Sequence, residues 1–130
     1  MRISHKHKFV FLSNPKCGSE TIRAMLNPYS DRLSGPNEPY RNHTTALTLK
    51  KHFESLQWNW DDYYVFTTIR NPWDKLVSRY HYGLKNKKSV WHKLALEGCS
   101  FREFILNEEN HKDDGILYFS YDENSLCLAD

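Results

Sequence analysis

The segment Ser13-Asn-Pro-Lys-Cys-Gly-Ser-Glu-Thr21 gathers groups suited to holding an oxoanion. Lys16 brings a mobile positive charge, Gly18 lets the backbone approach a ligand closely, and the Ser19 and Thr21 hydroxyls can donate to phosphate or sulfate oxygens. Placed between a strand and a helix, such a turn also presents unpaired backbone N–H groups and the positive end of the helix dipole. The plainer reading is a tight strand-to-helix connection with Lys16 as a solvated charge, and on this segment alone the two weigh equally. A nucleoside-triphosphate loop is disfavoured, because its Gly-Lys-Ser/Thr ending is absent.

A second constellation lies in Thr67-Thr-Ile-Arg-Asn-Pro-Trp-Asp-Lys-Leu-Val-Ser-Arg-Tyr80. Arg70 offers a planar fork suited to phosphate, and Ser78, two helical turns further on, can share that anion. The alternative is an arginine at a sheet edge and a serine facing solvent. His43, just before Thr44 and Thr45, is a candidate proton acceptor, with Glu38 in reserve, although a lone loop histidine is more often a surface residue. The remaining histidines, at 5, 7, 52, 81, 92 and 111, have no metal-ligand spacing, so no metal is expected. Cys17 and Arg23 satisfy Cys-x5-Arg, the phosphate-cradling pattern of cysteine-dependent phosphatases. Ala24 stands where a serine or threonine commonly follows the arginine in those enzymes, which lowers that reading.

The elements that must carry these groups follow from periodicity. Phe9 to Leu12 reads as a short buried strand, followed after the Ser13-to-Ser19 turn by a helix with Ile22, Met25 and Leu26 on one face and its end at Asn27-Pro28. Tyr29 to Asn42 reads as a long loop. Thr44 or Thr45 caps a helix whose apolar face is Leu47, Leu49, Phe53 and Leu56. Tyr63 to Ile69 is the strongest strand, rich in β-branched and aromatic residues. Asn71 caps the next helix, with Pro72 at its first position, Leu76, Val77 and Tyr80 as its apolar stripe, and Gly83 marking its end. Two shorter helices are expected over Val90 to Leu96 and Phe101 to Leu106, the second with Ser100 and Glu103 in capping-box spacing. Two strands, each followed by a helix, predict an α/β fold with a parallel sheet and right-handed crossovers, whose ligands sit at the carboxyl ends of the strands. Both constellations fall there.

Composition sets the outer limits. A chain of 130 residues, 39% hydrophobic and 26% charged, supports one modest core and a single domain. A net charge of +2 gives no basic face for nucleic acid, so an anionic partner must be held locally. Cys17, Cys99 and Cys127 are odd in number and widely spaced, which points to free thiols and a cytoplasmic location. The apolar run Phe9 to Leu12 is too short for a signal segment or a spanning helix, so no membrane anchor is expected.

Pro15-Lys-Cys-Gly-Ser19 resembles the 5'-phosphosulfate loop of sulfotransferases. Arg70, with Ser78 eight residues later, resembles their 3'-phosphate segment. The likeness is strongest over Phe9 to Leu26 and Ala46 to Tyr82, and is closest to carbohydrate sulfotransferases and their bacterial relatives, where Arg-Asn/His-Pro precedes an aromatic residue. It implies a P-loop-like parallel sheet flanked by helices, of sulfotransferase type and small or truncated. It further implies 3'-phosphoadenosine 5'-phosphosulfate (PAPS) as donor, held by Pro15, Lys16, Cys17, Gly18, Ser19, Glu20, Thr21, Arg70 and Ser78. Lys16 and His43 would be the catalytic pair and the acceptor a hydroxyl or amine, in all expectation that of a carbohydrate. Glu20 departs from the small hydroxyl residue usual in the family, and its carboxylate must turn outward from bound phosphates. A short chain of this type also leaves room for a non-catalytic nucleotide-binding fragment, and for a homo-oligomer that completes its core.

Overall fold

The computed structural model describes residues 1–35, 40–89, 92 and 99–107. The chain divides into two compact units, one built on Met1–Ile69 and the other starting at Arg70. The helix expected over Val90 to Leu96, the reserve base Glu38, and the residues His111 and Cys127 lie outside the described residues, apart from His92 within that helix.

In the first unit, four strands form one sheet in the order β3-β1-β2-β4. They are β1 (Arg2–Ser4), β2 (Phe9–Leu12), β3 (Arg32–Leu33) and β4 (Tyr64–Thr67). β2 and β4 run parallel with Phe11 opposite Phe66, as a strand–helix–strand crossover requires. The sheet is nevertheless mixed, not wholly parallel, because β1 pairs antiparallel with both β2 and β3. These two strands were hidden in the basic start of the chain and in the Tyr29 to Asn42 stretch. They hold three and two residues, too few to display a period.

The sheet's two faces follow from register. Ile3 opposes Val10 and shares its face, with Leu12 two residues on, and all three are fully buried in a core with Val65 and with Ala46, Leu49 and Phe53 of α2 (Ala46–Ser55). Arg2 opposes Phe11 and shares the other face, where Phe11 and Phe66 ring centroids lie 5.3 Å apart. Helix α1 spans Ser19–Leu26 and buries Ser19 and Arg23.

Helix α2 begins and ends on identifiable caps. The Thr45 hydroxyl accepts from the Thr48 amide at 3.3 Å. At the other end Gln57 takes a left-handed φ of 59°, while the Trp58 amide donates to the Phe53 carbonyl at 2.9 Å and the Gln57 amide to that of Glu54 at 3.1 Å. This reversal carries Leu56 out to 43% exposure instead of onto the apolar face, and folds Trp58 back on the Phe53 ring at 5.3 Å. Trp60 and Tyr63 contact the same ring, which makes Phe53 the hub of this core.

The second unit contains α3 (Pro72–Lys85) and α4 (Phe101–Leu106). Asn71 caps α3 by accepting from the Trp73 amide at 3.0 Å, and Pro72 occupies the first turn, where its missing N–H costs nothing. The buried side of α3 is Lys75, Leu76, Arg79 and Gly83, whereas Val77 of the expected stripe is 40% exposed. Leu76 is buried and Tyr80 half-buried as expected, but Val77 gives way to Lys75 and Arg79, whose cationic side chains are buried along their whole length. Tyr80 packs on Phe101 and Phe104, each at 5.3 Å, and Ser100 with Glu103 forms the full capping box.

Candidate functional site

Residues 13 to 18 connect the carboxyl end of β2 to α1, and the shape of this loop is held through its carbonyls. The Leu12 carbonyl accepts from Thr67 Oγ1 at 2.7 Å, that of Ser13 faces His43 Nδ1 at 2.7 Å, that of Asn14 accepts from Ser19 Oγ at 3.0 Å, and that of Cys17 accepts from Thr68 Oγ1 at 3.0 Å. Side chains from α1, from the end of β4 and from the segment before α2 thus converge on one loop. The Ser19 hydroxyl, expected to donate to a ligand, spends its proton on closing the turn.

Backbone conformation is the second feature. Lys16 has φ 61° and Gly18 φ 74°, both left-handed. Glycine suits its position for that reason alone, since a Cβ added there would meet no atom within 4 Å. A left-handed lysine costs roughly 1–2 kcal/mol, and strain of this kind persists where a functional conformation demands it. Gly18 is also the N-cap of α1 and brings no side-chain hydrogen bond to it. The first-turn amides of α1 therefore lack the side-chain acceptor that α2, α3 and α4 each have. Glu20 and Thr21 are exposed, so the Glu20 carboxylate has room to turn outward.

His43 is brought to this loop from a distant part of the chain. The Ser13 oxygen can only accept, so His43 Nδ1 carries the proton between them, and in the neutral ring the lone pair is then on Nε2. That is the tautomer a proton acceptor needs.

The sequence reading missed the place where β1 begins beside the loop. Because β1 is antiparallel to β2, Met1 lies beside the carboxyl end of β2. Its amine is hydrogen-bonded with Ser13 Oγ, with Ser34 Oγ at 3.2 Å and with the Asn42 carbonyl at 3.0 Å. Burial, and then the charges of Arg23 and Arg2, push the amine's pKa down to about 4. Burial and Arg23 also lower that of Arg2, which is anchored by Asn27 Oδ1 at 2.7 Å and the Met1 carbonyl at 2.8 Å. Three buried side-chain polar atoms among the described residues of this unit, His5 Nε2, Asn14 Oδ1 and Arg23 Nη1, have no hydrogen-bond partner. No signal short of the β1 register would have revealed this cluster.

Arg70 and Ser78 belong to the second unit. Arg70 is exposed immediately before the Asn71 cap, and Ser78 is half-buried on α3. Among the described residues there is no group of three or more His, Cys, Asp or Glu side chains able to hold a metal ion, and no helix is long and apolar enough to cross a membrane.

A strand ending in a Pro-Lys loop and a later Arg-Asn-Pro helix junction are the features on which the sequence resemblance rests. The profile described as the sulfotransferase family matches residues 1–124, and the chain belongs to that family. No curated protein and no solved structure matches it.

Proposed function

We propose that this chain transfers a sulfuryl group from PAPS to a hydroxyl of an acceptor, with a carbohydrate as the best candidate. The observation that carries the reading is the loop after β2. Its carbonyls are turned into the protein, Lys16 and Gly18 are left-handed, and the first turn of α1 is uncapped. An anion with several oxygens fits that arrangement, because backbone amides and the helix dipole favour it there. On this reading β2, the loop and α1, with parallel β4 alongside, make the P-loop-like centre of one sulfotransferase-like domain. Pro15 to Thr21 hold the 5' end of the donor, and Arg70 with Ser78 hold its 3'-phosphate.

When bound, the donor supplies a sulfuryl group that passes in line to the acceptor oxygen, leaving adenosine 3',5'-bisphosphate. The chain's own residues then have three tasks. The loop fixes the orientation of the anion, which is where most acceleration of such transfers arises. Lys16 neutralises the charge that grows on the oxygen of the breaking bond. His43 takes the acceptor's proton at Nε2, held in position by the Ser13 carbonyl.

The cysteine-phosphatase alternative fares poorly against the local geometry. α1 already begins at Ser19, and the Ile22 amide donates to the Gly18 carbonyl at 3.4 Å, so the residues between Cys17 and Arg23 are mostly helix and cannot wrap an anion. Sulfate transfer from PAPS to a panel of saccharides tests the proposal. Transfer that disappears in Lys16→Ala and survives in Cys17→Ser supports it, and loss in Cys17→Ser with Lys16→Ala active reverses it.

A further inference from the structure

Helix α3 carries more apolar surface than its own packing uses. Its buried side is Lys75, Leu76, Arg79 and Gly83. Away from that side Trp73 is 69% exposed, Val77 40% and Leu84 38%, with half-buried Tyr80 in line between the last two. Phe101 of α4, its ring 5.3 Å from that of Tyr80 and itself exposed, widens the strip. Single exposed apolar residues need no explanation, but a tryptophan, a valine and a leucine in one row on one helix form the kind of patch that marks an interaction surface.

Spacing says what shape of partner fits. Trp73, Val77, Tyr80 and Leu84 follow one another at intervals of four, three and four residues, the alternation that lays a narrow apolar seam along a helix and lets a second helix pack against it. The charges beside the seam say which helix. Asp74 stands in the first turn of α3 and Lys85 in the last, both exposed. At about 100° per residue they come within about 20° of each other around the axis, so they share one flank of the seam at opposite ends. Among the described residues neither is held in an ion pair. A second α3 laid antiparallel sets its Lys85 beside Asp74 and its Asp74 beside Lys85, because in that orientation equal flanks face each other. A two-fold axis makes both contacts at once, which is the self-complementarity of a closed pair. A parallel copy would set the two flanks on opposite sides of the seam. Ser78 lies about 100° around the helix from Val77, so an antiparallel copy leaves it clear.

We propose that α3 is a self-association surface, on which two copies of this chain pair about an antiparallel two-fold with Trp73, Val77, Tyr80 and Leu84 as the seam and Asp74 against Lys85 at each end. The seam is short, so the pair forms at micromolar concentration and separates on dilution. The inference makes no use of the donor reading.

Sedimentation velocity of the intact chain from low to high micromolar concentration tests this. A shift from monomer to dimer, with no larger species, is expected. Val77→Asp should weaken the dimer more than tenfold, because it places a carboxylate in the seam. Asp74→Lys and Lys85→Glu should each weaken it about threefold to tenfold, and the variant carrying both changes should regain the original affinity. A monomer at every concentration overturns the proposal, whether another part of the chain or a partner of another kind covers the seam. A dimer that Val77→Asp leaves intact, one indifferent to the two charge changes, or one that the doubly changed variant fails to restore overturns it as well. Circular dichroism shows whether each variant is folded, and should Val77→Asp not fold, the charge exchange decides, since Asp74 and Lys85 are both exposed.

Discussion

The Nδ1 of His43 lies 2.7 Å from the carbonyl oxygen of Ser13, so a loop histidine and the first residue after β2 are joined across thirty positions of sequence. The contact sets which ring nitrogen can accept a proton. His43→Ala is expected to lower turnover by about 10²–10⁴-fold and to remove the acid limb of the pH–rate profile, with little change in donor affinity. Steady-state rates across pH provide the check, and a variant that keeps both rate and limb would exclude His43 as the base.

Lys16 allows function to be separated from stability. Its left-handed φ of 61° favours glycine, so Lys16→Gly should stabilise the fold by about 1 kcal/mol while abolishing most transfer activity. Denaturant unfolding and an activity assay on the same sample would show the two moving in opposite directions. A glycine variant that is both stable and active leaves Lys16 without a chemical role.

Thr68 ties the end of β4 to the loop through its 3.0 Å bond to the Cys17 carbonyl, two residues before Arg70. Thr68→Val should raise the KM for the donor about two- to tenfold with a smaller effect on kcat, and Thr68→Ser should restore it. An unchanged KM in the valine variant with a loss in the serine variant would mean that the methyl group, not the hydroxyl, matters.

How much of this was legible beforehand differs between elements. Tyr64–Thr67 and the Asn71-Pro72 junction announced themselves, because β-branched and aromatic runs and an Asn-Pro cap are local signals. The Ser100 and Glu103 box was equally plain. The strands Arg2–Ser4 and Arg32–Leu33 were not, since their length leaves no period to read and, although β1 and β2 form a short hairpin, the pairing of β3 with β1 is non-local. The candidate site divides in the same way. Lys16 and Gly18 stand in a recognisable motif, whereas the Arg2 and Arg23 cluster exists only once β1 is laid against β2. Val77 illustrates the opposite error, an apolar residue on a helix that buries Lys75 and Arg79 instead.

Stability should fall as the pH is lowered from 8 toward 4. Burial, only partly offset by Asp31, lowers the pKa of His5 from its ordinary 6.5, and burial with Arg23 and Arg2 takes the Met1 amine from 8.0 to about 4. In both cases the unfolded chain binds the proton more readily. Stability is therefore fully present above the unfolded pKa and is lost as acidification carries each group toward its folded value. Denaturation midpoints at pH 8, 6.5 and 5 should decline in that order, and His5→Phe should flatten the lower part of the curve. A midpoint that rises on acidification would contradict the assignment.

On the proposed function the Lys16 loop and Arg70 serve one donor, and calorimetric titration with adenosine 3',5'-bisphosphate measures this directly. Saturable one-to-one binding is predicted, weakened about tenfold or more in Arg70→Ala by the loss of charge-assisted hydrogen bonds. Absence of binding to the intact chain, or identical affinity in Arg70→Ala, would contradict it.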